Sequence, residues 1–101
     1  MVMNYFTEMK IGQLANTVLR ARLLDEKRVT AEEIEQLLSL EMSKHLFGLT
    51  FPALILEAKK DKAISRRYYV RPLEIRNKTY YLTNHWYERH RGKLVKWLDA
   101  H

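Results

Sequence analysis

Four histidines, twelve carboxylates and no cysteine set the chemistry open to this 101-residue chain. Without a thiol there is no cysteine nucleophile, disulfide or thiolate zinc site, and a cysteine-free chain suits a reducing compartment. The histidines (His45, His85, His90 and His101) are scattered. Glu41 and His45 stand at i, i+4 and His85 and Glu88 at i, i+3, spacings at which two side chains on one helical face can chelate a metal. Neither pair has a third ligand in view. The three glycines are isolated, so no glycine-rich loop cradles a phosphate. No nucleophile stands with a visible base and orienting group, and the carboxylates are dispersed along helical segments. The expectation is a non-enzyme with no catalytic residue, metal or cofactor.

What the sequence does concentrate is positive charge. Residues 1–58 carry six Lys/Arg against eight Asp/Glu, a net of −2, whereas residues 59–101 carry twelve against four, a net of +8. Such a field attracts phosphate polymers, anionic lipid or acidic protein surfaces. Arg66, Arg67, Arg71, Arg76 and Lys78 crowd one segment together with Tyr68, Tyr69 and Tyr81. Cations interleaved with rings suit phosphate contact and base stacking, although the same tyrosines could pack the segment and leave the arginines solvated. Arg89, Lys93 and Lys96 fall at i, i+4 and i+7, one stripe for phosphate contacts or a solvated outer face. Lys44, Lys59 and Lys60 complete the candidate nucleic-acid-binding set. Trp86 and Trp97, eleven residues apart, lie nearly three helical turns from each other. Core packing is their first role, and a homodimer seam the second.

These residues must be positioned by one domain spanning residues 1–101, the size at which a single core suffices without staples. The opening MVMNYFTEMK lacks a basic region followed by an apolar stretch and does not read as a signal peptide. The longest uncharged run covers residues 46–56 and is broken by Gly48 and Pro52. A membrane helix needs about 20 apolar residues, so this run reads as buried core, and the expected location is cytoplasmic with no membrane contact.

A first helix is expected over residues 8–27, capped by Thr7, on the stripe Ile11, Leu14, Ala15, Val18, Leu19 and Leu23. A second over 31–47 opens with a capping box, Thr30 and Glu33, and a hydrophobic staple, Val29 and Ile34; Gly48 stops it. A break at Ser39, capping a separate helix through Phe47, is the alternative. Pro52 starts a short helix over 52–60, with a strand as the alternative for the same segment. A hairpin over 68–83 places Leu73, Ile75, Tyr80 and Leu82 on one face, with Asn77-Lys78 as the turn and Leu73 opposite Leu82. A last helix over 85–99 begins at Asn84 and turns Trp86, His90, Leu94, Trp97 and Leu98 inward.

The order of elements is α+β: three helices, a hairpin and a helix. The capped helix from Thr30 to Phe47, the hairpin from Tyr68 to Asn84 and the turn Arg76-Asn77-Lys78 resemble the winged helix-turn-helix superfamily of DNA-binding domains. That resemblance implies a transcription-regulatory domain docking on double-stranded DNA, with the hairpin as wing, Arg76 and Lys78 at its tip and Arg66, Arg67 and Arg71 on its stem. A recognition helix would present basic and amide side chains. ALILEAKK is apolar until Lys59 and Lys60, so groove contacts would fall to Lys44 and His45, or no bases are read. The alternative function is a protein-interaction module, an adaptor or small inhibitor, whose basic face meets an acidic partner.

Overall fold

Apolar spacing at the N-terminal end of the described chain, residues 9–101 of a computed structural model, builds helix α1 over residues 11–24. Its middle, Ala15–Leu19, is a π turn, and across it the buried positions step by four, from Ala15 to Leu19 to Leu23. The wider turn leaves Val18 only half-buried. The cap expected at Thr7 lies outside the described residues. The helix ends at Leu24, where Asp25 turns extended, three residues short of the expected boundary.

Helix α2, Ala31–Leu38, carries the capping box read from the sequence: the Glu33 N–H donates to Thr30 Oγ1 at 3.0 Å and the Thr30 N–H to Glu33 Oε1 at 3.2 Å. The expected single helix over 31–47 is two. Ser39 is extended, and its hydroxyl accepts from the Met42 N–H at 3.2 Å, opening α3, Leu40–Phe47. A serine competes with the helix for its own backbone, and here the cap wins. Gly48 ends α3 in the left-handed region, at φ 78°.

The expected helix over 52–60 is instead strand β1, Leu54–Leu56, followed by a 3-10 turn, Glu57–Lys59. Good helix formers are overridden because a partner strand takes their backbone groups. Leu54 faces Leu82, and Ala53 is bonded on both sides, its N–H to Ser43 Oγ at 2.9 Å and its carbonyl to the Thr83 N–H at 2.9 Å. Ser43, fully buried, also donates to the Leu37 carbonyl at 3.1 Å, so one hydroxyl ties α2 and α3 to the sheet. A short helix α4, Lys62–Ser65, capped by Asp61, leads to the hairpin.

The hairpin pairs β2, Leu73–Ile75, with β3, Lys78–Leu82, and β1 lies on the other side of β3, giving the antiparallel order β1-β3-β2. Its turn is Arg76-Asn77, both at positive φ (48° and 70°), as a two-residue hairpin turn demands. Leu73 therefore faces Tyr80, two residues from the expected partner. A shift of two preserves side-chain parity, so Leu73, Ile75, Tyr80 and Leu82 share the buried face as expected.

The last helix starts later than expected. Asn84 does not cap it; its amide donates to the Arg66 carbonyl at 3.1 Å. After a 3-10 turn, Glu88–His90, helix α5 runs over Arg91–Ala100. Trp86 is buried ahead of the turn, with its indole N–H bonded to the Thr83 carbonyl at 2.7 Å. Trp86 and Trp97 both pack on Phe47, at centroid distances of 5.5 and 5.9 Å, edge and tilted contacts that add about 0.5–1.5 kcal/mol each beyond area burial. At 5% and 4% exposure their rings are used inside the chain, and a dimer seam built on them is corrected to core.

Candidate nucleic-acid interface

Cations and rings meet at the open end of the hairpin, where the chain leaves β3 in extended form. From Asn84 to Tyr87 the backbone alternates: Trp86 points into the core while His85 and Tyr87 stay at the surface. His85 packs edge-on against Phe51 at 5.0 Å and against Tyr87 at 6.2 Å. The Arg67 guanidinium lies 4.6 Å from the centre of the Phe51 ring and that of Arg89 4.9 Å from the centre of Tyr87. The result is a continuous row, Arg67–Phe51–His85–Tyr87–Arg89, with a cation on a ring at each end. A second pair stands on the outer face of the sheet, where the Lys60 ammonium sits 3.7 Å from the centre of the Tyr81 ring. The Glu57 carboxylate is 3.5 Å from the Tyr81 hydroxyl.

His90 anchors the row from below. It is 3% exposed, and its Nδ1 accepts the Tyr87 N–H at 3.0 Å. Burial and the nearby Arg89 charge lower its pKa, with the Gly48 backbone pulling the other way. A neutral ring is what this bond requires, because a protonated Nδ1 has no lone pair to offer. Glu88 and Arg91 brace the same turn: Arg91 donates to both Glu88 oxygens at 2.8 Å and to the Met9 carbonyl, while Glu88 accepts the Ile11 N–H at 3.3 Å. The Arg91 hydrogen bond holds the Glu88 carboxyl below its usual range, and Glu88 raises Arg91 in return.

The expected site residues divide by where they stand. Arg67 and Arg89, distant in sequence, share the row. Lys59, Arg66, Arg71 and Lys78 are exposed. Lys44 is exposed at the end of α3, and Lys93, on α5, reaches the His45 carbonyl at 3.4 Å; neither belongs to the row. Arg76, expected to point from the wing tip, folds back. Its guanidinium donates to the Glu26 and Val29 carbonyls at 2.9 and 2.6 Å, and its N–H to Glu26 Oε2 at 3.3 Å. That corrects its role from phosphate contact to tie between the hairpin and the α1–α2 connection.

Two of the three tyrosines are also used internally. Tyr68, 2% exposed, donates to the Pro52 carbonyl at 2.8 Å, and burial pushes its hydroxyl up to about 12 against the opposing Arg67 charge. Tyr69 donates to the Gly12 carbonyl at 3.0 Å. Of the rings that form the row, the sequence marked His85 only as half of a metal-spaced pair, and Phe51 and Tyr87 were not read as binding residues. The signal available for two of them was the alternation His85 out, Trp86 in, Tyr87 out, a period of two hidden by the helical reading of that segment.

Among the described residues, no three His, Asp or Glu side chains come together as a metal set, and no helix is long and apolar enough to cross a membrane. Comparison with protein-family models, with curated proteins and with solved structures returns no match.

Proposed function

We propose that this chain is a non-catalytic DNA-binding, regulatory domain whose ligand docks on the basic C-terminal half. The observation that carries the reading is the row Arg67–Phe51–His85–Tyr87–Arg89. Guanidinium groups at its ends meet phosphates, and rings between them meet the flat faces of bases or sugars, the combination by which proteins hold nucleic acid with little base readout. Tyr87, at 49% exposure, offers the most open ring. Exposed Lys59, Arg66, Arg71 and Lys78 extend the field and raise the rate of encounter.

A winged-helix-like frame accommodates this reading. Its support is the pairing of β1 with the second hairpin strand, in the order β1-β3-β2, beside helices that precede the sheet. In that frame β2–β3 is the wing, and Lys78 is the cation its tip leaves for phosphate, since Arg76 is engaged.

The test is fluorescence anisotropy with labelled random duplex and single-stranded DNA, titrated at low and moderate salt. The expected result is binding that weakens log-linearly with salt, with a slope near 0.9 per phosphate contact on duplex and near 0.7 on single strands. Absence of binding to either form at about 50 mM salt would overturn the proposal.

A further inference from the structure

A second basic surface lies apart from the row, between α3 and α5. There a groove of about 380 Å³ opens between the two helices. Leu46 and Trp97 give it apolar walls, while His45, Lys93, Lys96 and His101 supply the ionisable side chains that line it, with no acidic side chain among them. The Lys93 ammonium is held at its rim by the 3.4 Å bond to the His45 carbonyl, which leaves two of its three N–H donors available. Trp97 supplies a reporter for occupancy of the groove. It is 4% exposed, His101 stacks on it at 4.3 Å, and its indole N–H has no acceptor. Trp86, by contrast, satisfies its indole within the chain. The Trp97 N–H is itself buried, so it reports on the groove from beneath and does not meet the ligand.

We infer that this groove docks an acidic peptide segment of a partner protein, an apolar side chain lying against Leu46 and the exposed edge of Trp97 and flanking carboxylates meeting Lys93 and Lys96. The apolar walls favour a side chain over a phosphate backbone, which has nothing apolar to set against Leu46 and Trp97. The absence of any acidic side chain from the lining sets the sign of the partner. The site does not depend on the row and stands whether or not DNA binds there.

The experiment is a proton–nitrogen correlation titration of the full chain, following the two indole N–H signals. The probes are a short peptide alternating Glu and Leu, its Gln/Leu counterpart and an oligothymidylate. The Glu/Leu peptide is expected to move the Trp97 indole signal and leave that of Trp86 in place. The Gln/Leu peptide should leave both unmoved. In the double variant Lys93→Glu, Lys96→Glu, at exposed positions, binding should weaken by roughly tenfold, the equivalent of about 1.4 kcal/mol; an unchanged Trp86 signal reports that the core is intact. The proposal is overturned if the Glu/Leu peptide leaves Trp97 unmoved, if the Gln/Leu peptide acts equally well, or if the oligothymidylate moves Trp97 as strongly, which would make the groove a phosphate site.

Discussion

Two arginines of the N-terminal half and the exposed cations of the C-terminal half are put to opposite uses. In the N-terminal half Arg20 and Arg22 are 2% and 7% exposed. Arg22 grips both Glu33 oxygens at 3.1 and 3.0 Å, donates to the His101 backbone oxygen at 3.0 Å and lies over Trp97. Arg20 donates to Asn16 and to the carbonyls of Arg71 and Pro72, and burial together with the Arg71 charge lowers its pKa. In the C-terminal half Lys59, Arg66, Arg71, Lys78, Arg89, Lys93 and Lys96 remain exposed. The same residue type is a joint at Arg20 and Arg22 and a surface at these seven positions. What decides is whether free carbonyls or a carboxylate lie within reach of the guanidinium. Arg76 shows the rule from the other side: it belongs to the basic half by sequence, yet the open carbonyls of the α1–α2 connection capture it.

That contrast breaks most sharply at Arg22. Arg22→Met should cost about 3–5 kcal/mol, because it leaves the Glu33 carboxylate buried without its partner. Urea denaturation checks this, and DNA affinity measured where the variant is still folded should be unchanged. At the row the expectation inverts. Tyr87→Ala with Arg89→Ala should lower DNA affinity by about 1–3 kcal/mol per lost stacking contact and flatten the salt slope by about one contact's worth. The unfolding midpoint should move little, as both residues are exposed. A midpoint loss as large as that of Arg22→Met would assign the row to structure instead.

Arg76 lies between these two extremes. Arg76→Ala should cost about 1–2 kcal/mol through its lost carbonyl bonds and leave the salt slope unaltered, whereas Lys78→Ala should flatten the slope and leave stability alone. Parallel melts and salt titrations separate the two.

The smallest expected effect concerns pH. The His90 pKa is depressed below its ordinary 6.5 in the folded chain, so above that value the ring is neutral in both states and its contribution is complete. As pH falls below 6.5 the unfolded chain takes up the proton first, and stability is lost toward the lower folded pKa. Thermal melts at about pH 7.5 and about pH 5.5 should show this loss, and His90→Asn, which keeps an acceptor for the Tyr87 N–H, should reduce it. An equal loss in both proteins would place the acid sensitivity elsewhere.

Much of the fold could be read from local pattern. The Thr30–Glu33 box, the Gly48 stop and the buried face of the hairpin all follow from chemistry within a few residues, where spacing alone decides. The largest error falls where a distant partner decides. ALILEAKK has helical propensity and becomes β1 because β3 offers hydrogen bonds from residues 80–82. The hairpin face was legible and its register was not, because a slip of two residues leaves every side chain on the same face. Of the candidate interface, Arg67 and Arg89 could be named as cations. Their joining through Phe51, His85 and Tyr87 could not, since those residues lie far apart in the chain.

By itself the sequence determined the α+β composition, the Thr30–Glu33 cap and the Gly48 stop, the apolar faces and the division of charge between the halves, all of which rest on residue type and short spacing. Only the tertiary structure decided which cations are buried as joints and which are left in the open. Capture of a guanidinium depends on carbonyls and carboxylates brought close from other elements, and no local pattern records where those will lie.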